Sequence, residues 1–365
     1  MTTSQSAGGC PVRHETGHLR VVGHPEVVAV VTDPETFSSG VSRFLQVPNG
    51  LDGEEHTAFR AVIDRFFTAE ALAELEPRLR EVASRLVAEL PRGEVIDVVG
   101  GIGTRYAVQA MLAWLGWDPD LEEELVGWVA DNAAATRSGE IERTRAVAEH
   151  FDAIIVRVLQ PRLERLDEPA RDVTDQLLRQ QVRGRALQHL ELVSILRNWT
   201  GGDLGSLALC IGVIIHQLAA FPTLLLELRN RLGDIEATNR AIDEFLRIDD
   251  PFVSNRRVTT RETELAGESI GPGQRLVVDW TCANRDPRVF PDPDAFRPEE
   301  NASENLVYDR GPHICPDREL ATLELRVLLE ELLPAISGIE LPKKPRAVRA
   351  EFPLGGWASR PVVLR

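Results

Sequence analysis

Apolar residues recur at helical spacing through the middle of the chain and give way to short extended runs near both ends. His18-Leu-Arg-Val-Val22 reads as a strand, and Pro25 to Val31 as a helix that starts at a proline. From about Ala69 to Gln180 the texture is Ala, Leu, Glu and Arg, with helices expected at Pro77–Leu90, Ile102–Leu115 and Arg145–Gln160. A long helical pattern then runs from about Leu187 to Ala220 and closes at Pro222, followed by a helix pair up to Arg247. After Asp250-Pro251 the period shortens. Arg257 to Thr260 and Glu264 to Asp279 read as strands, with Gly271-Pro272-Gly273 as a hairpin turn and residues 353–365 as a second hairpin. The pattern predicts a mainly α protein with minor β (α+β), folded as one unit over residues 1–365.

Composition narrows this picture. The formal charge of −16 argues against general nucleic-acid binding, which needs a basic face. Cys10, Cys210, Cys282 and Cys315 lie far apart with no CxxC spacing, so neither a disulfide framework nor a zinc site is suggested, and a cytoplasmic setting fits. Met1 to His14 is polar and carries no secretory signal. The most apolar segment, Leu204 to Phe221, includes Ser206, Gly212, His216 and Gln217 and lacks a clean run of about 20 apolar residues. It reads as a buried helix, and no membrane span is expected.

The densest chemistry lies in Leu306 to Leu325. Cys315 stands at the end of a Gly/Pro loop, with Pro316 suited to a first helical position and Leu320, Leu323 and Val327 at helical spacing behind it. A lone cysteine is most often inert core. At a helix N-terminus, however, the dipole and free N–H groups favour thiolate, the form that binds a metal.

This segment resembles the haem-binding loop of the cytochrome P-450 family, Phe-x-x-Gly-x-Arg/His-x-Cys-x-Gly, with Tyr308, Gly311, His313 and Cys315 filling the pattern. Tyr308 replaces the phenylalanine, and Asp317 stands at the glycine position. The resemblance implies the cytochrome P-450 fold: a triangular helical domain with small sheets, and haem between the long central helix and the cysteine loop. It implies haem b (iron protoporphyrin IX) with Cys315 as axial ligand, O2, and external electrons. Glu244 and Arg247 match the family's Glu-x-x-Arg brace. His56 and Arg60, then Arg257 and His313, match its propionate contacts. Residues 284–297 match the meander before the cysteine loop.

The match breaks over the central helix. The family carries Ala/Gly-Gly-x-Asp/Glu-Thr there, an acid and an alcohol that deliver protons during oxygen activation. Here Leu204 and Gly205 hold those positions, while Asp203 comes one residue early and Ser206 one late, each about 100° round a regular helix. A bulge would restore their register. Equally, Asp203 would pair with an arginine and Ser206 would bond back to the helix.

By the same resemblance the substrate pocket draws on Arg43, Phe44, Leu45 and Val47, on Asn198 and Gly202, on Val253 and Ser254, and on Gly355 to Trp357. Electrons would come from a ferredoxin and its reductase, docking near Arg60, Arg65, Arg318 and Arg326. Three readings stand. One is a bacterial-type monooxygenase oxidising a small organic substrate, as in secondary-metabolite biosynthesis. The second is oxidative coupling, ring formation or peroxide-driven oxidation without oxygen insertion. The third is a non-catalytic haem binder.

Overall fold

The computed structural model describes residues 10–365; most of the polar N-terminal stretch lies outside them. Helices supply most of the core. Ala69–Glu89 begins at Thr68, whose side chain accepts from the Ala71 N–H, eight residues before the expected start at Pro77. Pro77 sits inside this helix because Leu72, Leu75, Leu79, Val82 and Leu86 form one buried stripe. Burying that stripe outweighs the hydrogen bond a proline forfeits. Arg318–Ala335 packs along it. Ile141–Leu163 likewise runs past its expected end and keeps Pro161 within its last turn.

Ile102–Leu115 divides differently from expectation. Regular helix starts at Arg105, and Val98–Thr104 is wound more widely, with i→i+5 geometry. Close packing accompanies that geometry, since a Cβ at Gly103 would lie 2.9 Å from the Cα of Ala208 on the central helix.

The central helix comprises His189–Gly201 and Asp203–Ala220, with the regular ladder interrupted at Gly202. Among the described residues this is the one helix long and apolar enough to cross a membrane. Some 72% of that window is buried inside the protein, as for a core helix.

A five-stranded sheet lies beside the helices in the order Val12–Glu15, His18–Val21, Arg275–Asp279, Ser254–Thr259, Phe37–Ser38. It carries its own apolar cluster, with Val21, Val27, Leu276 and Val278 at its centre. Two expected hairpins pair otherwise. Glu268–Ile270 turns back on Thr263–Leu265 through Ala266-Gly267, both at positive φ, which suits the twist of a two-residue turn. Gly271-Pro272-Gly273 instead leads into Arg275–Asp279, and the Gly273 N–H donates to Thr259 O at 2.7 Å. Near the C-terminus, Trp357–Ser359 pairs with Val348–Arg349. Pro361–Leu364 joins another sheet, between Ile339–Glu340 and Val95–Asp97. The partners of Pro361–Leu364 are distant in sequence, so local turn chemistry could not reveal them.

Candidate active site

Cys315 is held by backbone. Its N–H donates to Tyr308 O at 2.9 Å, closing the loop over a short 3-10 turn at Gly311–His313. Gly311 is at φ +81°, and a Cβ there would lie 2.9 Å from Val31 O, so only glycine suits both the torsion and the contact. Arg60 clasps the loop from the other side, donating to Pro312 O at 3.1 Å and Ile314 O at 2.8 Å.

Glu244 and Arg247 form a fully buried pair at 2.7 and 2.9 Å. Arg247 also donates to Asn284 O and Pro293 O and lies 4.7 Å over the Phe290 ring. Glu244 accepts from the Arg297 N–H and from Asn301. Asn284 in turn accepts from the Leu306 N–H at 2.8 Å. The pair therefore ties the irregular segment 284–301 to the strand of chain entering the cysteine loop, and every polar atom it buries is used.

A cavity of about 370 Å³ separates the cysteine loop from the central helix. Asn198, Gly202, Asp203, Ser206, Arg257, His313, Cys315 and Asp317 all line it. His56 and His313 stack beside it, ring centroids 4.2 Å apart. His56 Nε2 is buried without a hydrogen-bond partner. Burial, His313 and Arg60 push its pKa down to about 4. Arg257 is buried, reaching Asp309 at 3.3 Å, and burial lowers its pKa. Asp309 is pushed up to about 6 by burial against the pull of Arg257.

His313 reaches Asp52 at 3.2 Å. Burial works against the Asp52 charge, but hydrogen bonds from His313, Ser38 and the Ser39 N–H hold it at about 2. Asp52 escaped sequence reasoning, its signal being only that of a helix-capping acid before Gly53.

The sulfur itself departs from expectation. Cys315 Sγ donates to Asp317 Oδ1 at 2.6 Å, and burial with that carboxyl pushes the thiol pKa well up. These effects outweigh the helix terminus, so the thiolate requires a cation at the sulfur, as a coordinated metal supplies. Among the described residues no three His, Cys, Asp or Glu gather to hold a bare metal ion.

A haem fits this donor set. One sulfur faces the cavity, with the buried Arg257 guanidinium on its wall and, beside it, His56, whose buried Nε2 lacks a hydrogen-bond partner.

On the central helix, Asp203 is buried and meets no arginine. Burial first, and Asp317 second, push its pKa well up. Glu324 is buried nearby with both carboxyl oxygens unpartnered, and burial, Asp203 and Asp317 raise it too. Burial thus favours the neutral form of both acids. Glu324 had no distinguishing sequence signal beyond an acid inside an apolar helix. Ser206 Oγ donates within its own helix, with Gly202 O and Asp203 O at 2.6 and 3.0 Å. Asn198 spends its amide on Val47 O at 2.6 Å, tethering the loop before the His56 helix.

Of the expected pocket residues, Asn198, Gly202 and Ser254 line the cavity, whereas Arg43, Phe44, Leu45, Val47, Val253 and Gly355 to Trp357 do not. Trp357 meets His216 of the central helix edge-on, ring centroids 4.5 Å apart, with the Arg349 and Arg360 guanidinium groups over its ring. Val253 packs against the Gly355 segment. Arg43 and Phe44 stand exposed beside a neighbouring opening. Arg326, expected on a docking face, is instead buried with Glu76 and Glu330.

A family model described as Cytochrome P450 matches residues 138–337. Erythromycin C-12 hydroxylase of Saccharopolyspora erythraea is 30% identical, with 87% of this chain and 81% of the relative covered. Cyclomarin C epoxidase CymV of Salinispora arenicola is 29% identical over 88% and 84%. Among solved structures, the open cytochrome P450 EryK from S. erythraea superposes with a TM-score of 0.86 at 27% identity, covering 97% of this chain and 92% of the other.

Proposed function

Because the chain belongs to the cytochrome P450 family, and is thus an oxidoreductase of the monooxygenase kind, we propose that it oxidises a small organic substrate in secondary metabolism through an atypical proton supply. The observation that carries this reading is the juxtaposition of the loop-held Cys315 with a cavity flanked by the buried Arg257 guanidinium and by His56, whose ring Nε2 is unpartnered. By their names, one relative is an erythromycin C-12 hydroxylase and another a cyclomarin C epoxidase, which supports a secondary-metabolite substrate.

In this reading Cys315 Sγ holds the iron of haem b, and His56, Arg60, Arg257 and His313 hold its propionates. Bound there, the haem supplies O2 activation with electrons from a ferredoxin and ferredoxin reductase. Glu244 and Arg247 fix the approach to the loop. Asp203 offers at the cavity wall a carboxyl whose burial favours the protonated form, with Glu324 as a second buried acid near it. Ser206 keeps its hydroxyl in its own helix and so shapes the helix instead of relaying protons. Residues 1–365 form one haem domain working in the cytoplasm.

A second reading, oxidative coupling or ring formation, is favoured by one feature. Leu204 and Gly205 leave no acid–alcohol pair at the family positions, which suits chemistry that needs fewer delivered protons. The test is direct. The purified protein should give the red-shifted band of a thiolate-ligated iron in its reduced carbon-monoxide adduct; its absence would sink both readings. Product mass then separates them: a gain of one oxygen supports insertion, a loss of two hydrogens supports coupling.

A further inference from the structure

We propose that the mouth of the active-site cavity holds an anion-binding subsite, built by Arg43, Arg256 and Arg275, for a carboxylate or phosphate group on the substrate. This rests on the haem-thiolate reading of the cavity and adds to it the chemical class of what enters.

Strand register places two of the three cations. Arg275 pairs with Val258 and Val277 with Arg256 across the antiparallel strands Arg275–Asp279 and Ser254–Thr259. Residues two apart share a face, so Arg256 and Arg275 are diagonal neighbours on one face, roughly 7–8 Å apart. The same alternation sends Arg257, Leu276 and Val278 to the buried face. Adjacent Arg256 and Arg257 therefore serve opposite sides of the sheet, and only Arg257 lies among the haem-holding residues.

Arg43 comes from the loop that Ser194 and Asn198 tether to the central helix through Leu45 O and the Val47 backbone. The three arginines, with Val41, Ser42 and Phe44, line an opening of about 380 Å³. Val41 and Arg256 belong to this opening and to the Cys315 cavity alike, so the two spaces share a rim.

No carboxylate lines that opening. Among the described residues, none of the three guanidinium groups lies within 4.0 Å of a carboxylate oxygen; Arg43 lies over the Phe44 ring at 5.3 Å. The adjoining groove is lined by Glu15, already engaged by His18 at 2.9 Å and Arg20 at 3.5 Å. Three uncompensated cations at one rim of a chain carrying −16 overall make a local field opposite to that of the molecule. Guanidinium forks suit carboxylate and phosphate oxygens. Phe44, 64% exposed, and Leu45 offer apolar contact beside them. The fitting substrate is amphiphilic, with its anionic end on the arginines and its apolar body through the Val41 rim.

The experiment uses purified holoenzyme and ligands that anchor on the iron whatever the natural substrate is. Alkylimidazoles of stepped chain length are titrated by the haem absorption band against matching compounds ending in carboxylate or in phosphate. At the chain length that spans the rim, the anionic compound should bind about tenfold tighter, equivalent to about 1.4 kcal/mol. The ratio should shrink with added salt and fall towards one in Arg256→Gln/Arg275→Gln. Carboxylate and phosphate arms rank the two anion chemistries. A ratio near one at every length, or a ratio unchanged in the double variant, overturns the subsite. Failure of the carbon-monoxide band would instead overturn the haem-thiolate reading, a separable result.

Discussion

Asp203 and Ser206 stand three residues apart on the same helix yet have opposite fates, and burial decides which. The carboxyl faces Glu324 and Asp317 across the interior, whereas the hydroxyl returns to its own backbone. Asp203→Asn should lower product formation by about 10²-fold, the usual worth of a positioned proton donor, with the haem spectrum intact. Ser206→Ala should leave the coupling of electron use to product within about twofold.

His56 gives a test in haem-free protein. Its folded pKa of about 4 lies below its ordinary 6.5. The unfolded chain therefore takes the proton first, and this group's contribution is complete above pH 6.5 and lost as pH falls towards 4. Urea denaturation at neutral pH and at about pH 4.5 should show His56→Gln losing less stability between the two than the parent chain.

At the scale of elements, the buried pair in Ile235–Ile248 secures the approach to the cysteine loop, and the wide helical turn at Val98–Thr104 packs against the central helix. Glu244→Ala strands a fully buried guanidinium and should cost about 3–5 kcal/mol in denaturant unfolding, with earlier haem loss. Gly103→Ala presses a Cβ against the backbone of Ala208, which cannot swing aside as a side chain would. It should cost about 1–3 kcal/mol, read as a lower midpoint of thermal unfolding.

What the sequence disclosed follows from how local each signal is. The Cys315 loop is legible because glycine, proline and cysteine act within ten residues of one another. The helix of Arg318–Ala335 was legible from its apolar period. Strand partners were not, since Gly271-Pro272-Gly273 resembles a hairpin turn whichever strand its successor joins. Nor did any local pattern mark Asp52 or Glu324, whose importance arises from groups brought near only by folding. Pro77 misled for the reverse reason: a strong local breaker was overruled by a long buried stripe.

For the whole molecule, the helical core and the five-stranded sheet meet at the loop that carries Cys315. Gly311 abuts Val31 and Thr32 at the end of the helix His24–Thr32, so that loop is braced by both bodies. Gly311→Ala should therefore disturb haem retention more than overall helix content, measurable by comparing the absorption band with far-ultraviolet circular dichroism.

The strand Pro361–Leu364 sits between Val95–Asp97 and Ile339–Glu340. Both flanks are synthesised before the piece that joins them, and the first waits for most of the chain to emerge. Until then each presents unpaired amides, the kind of edge that recruits other polypeptides. The growing protein is thus most prone to clumping until Pro361–Leu364 docks, and deleting that strand would make the hazard permanent.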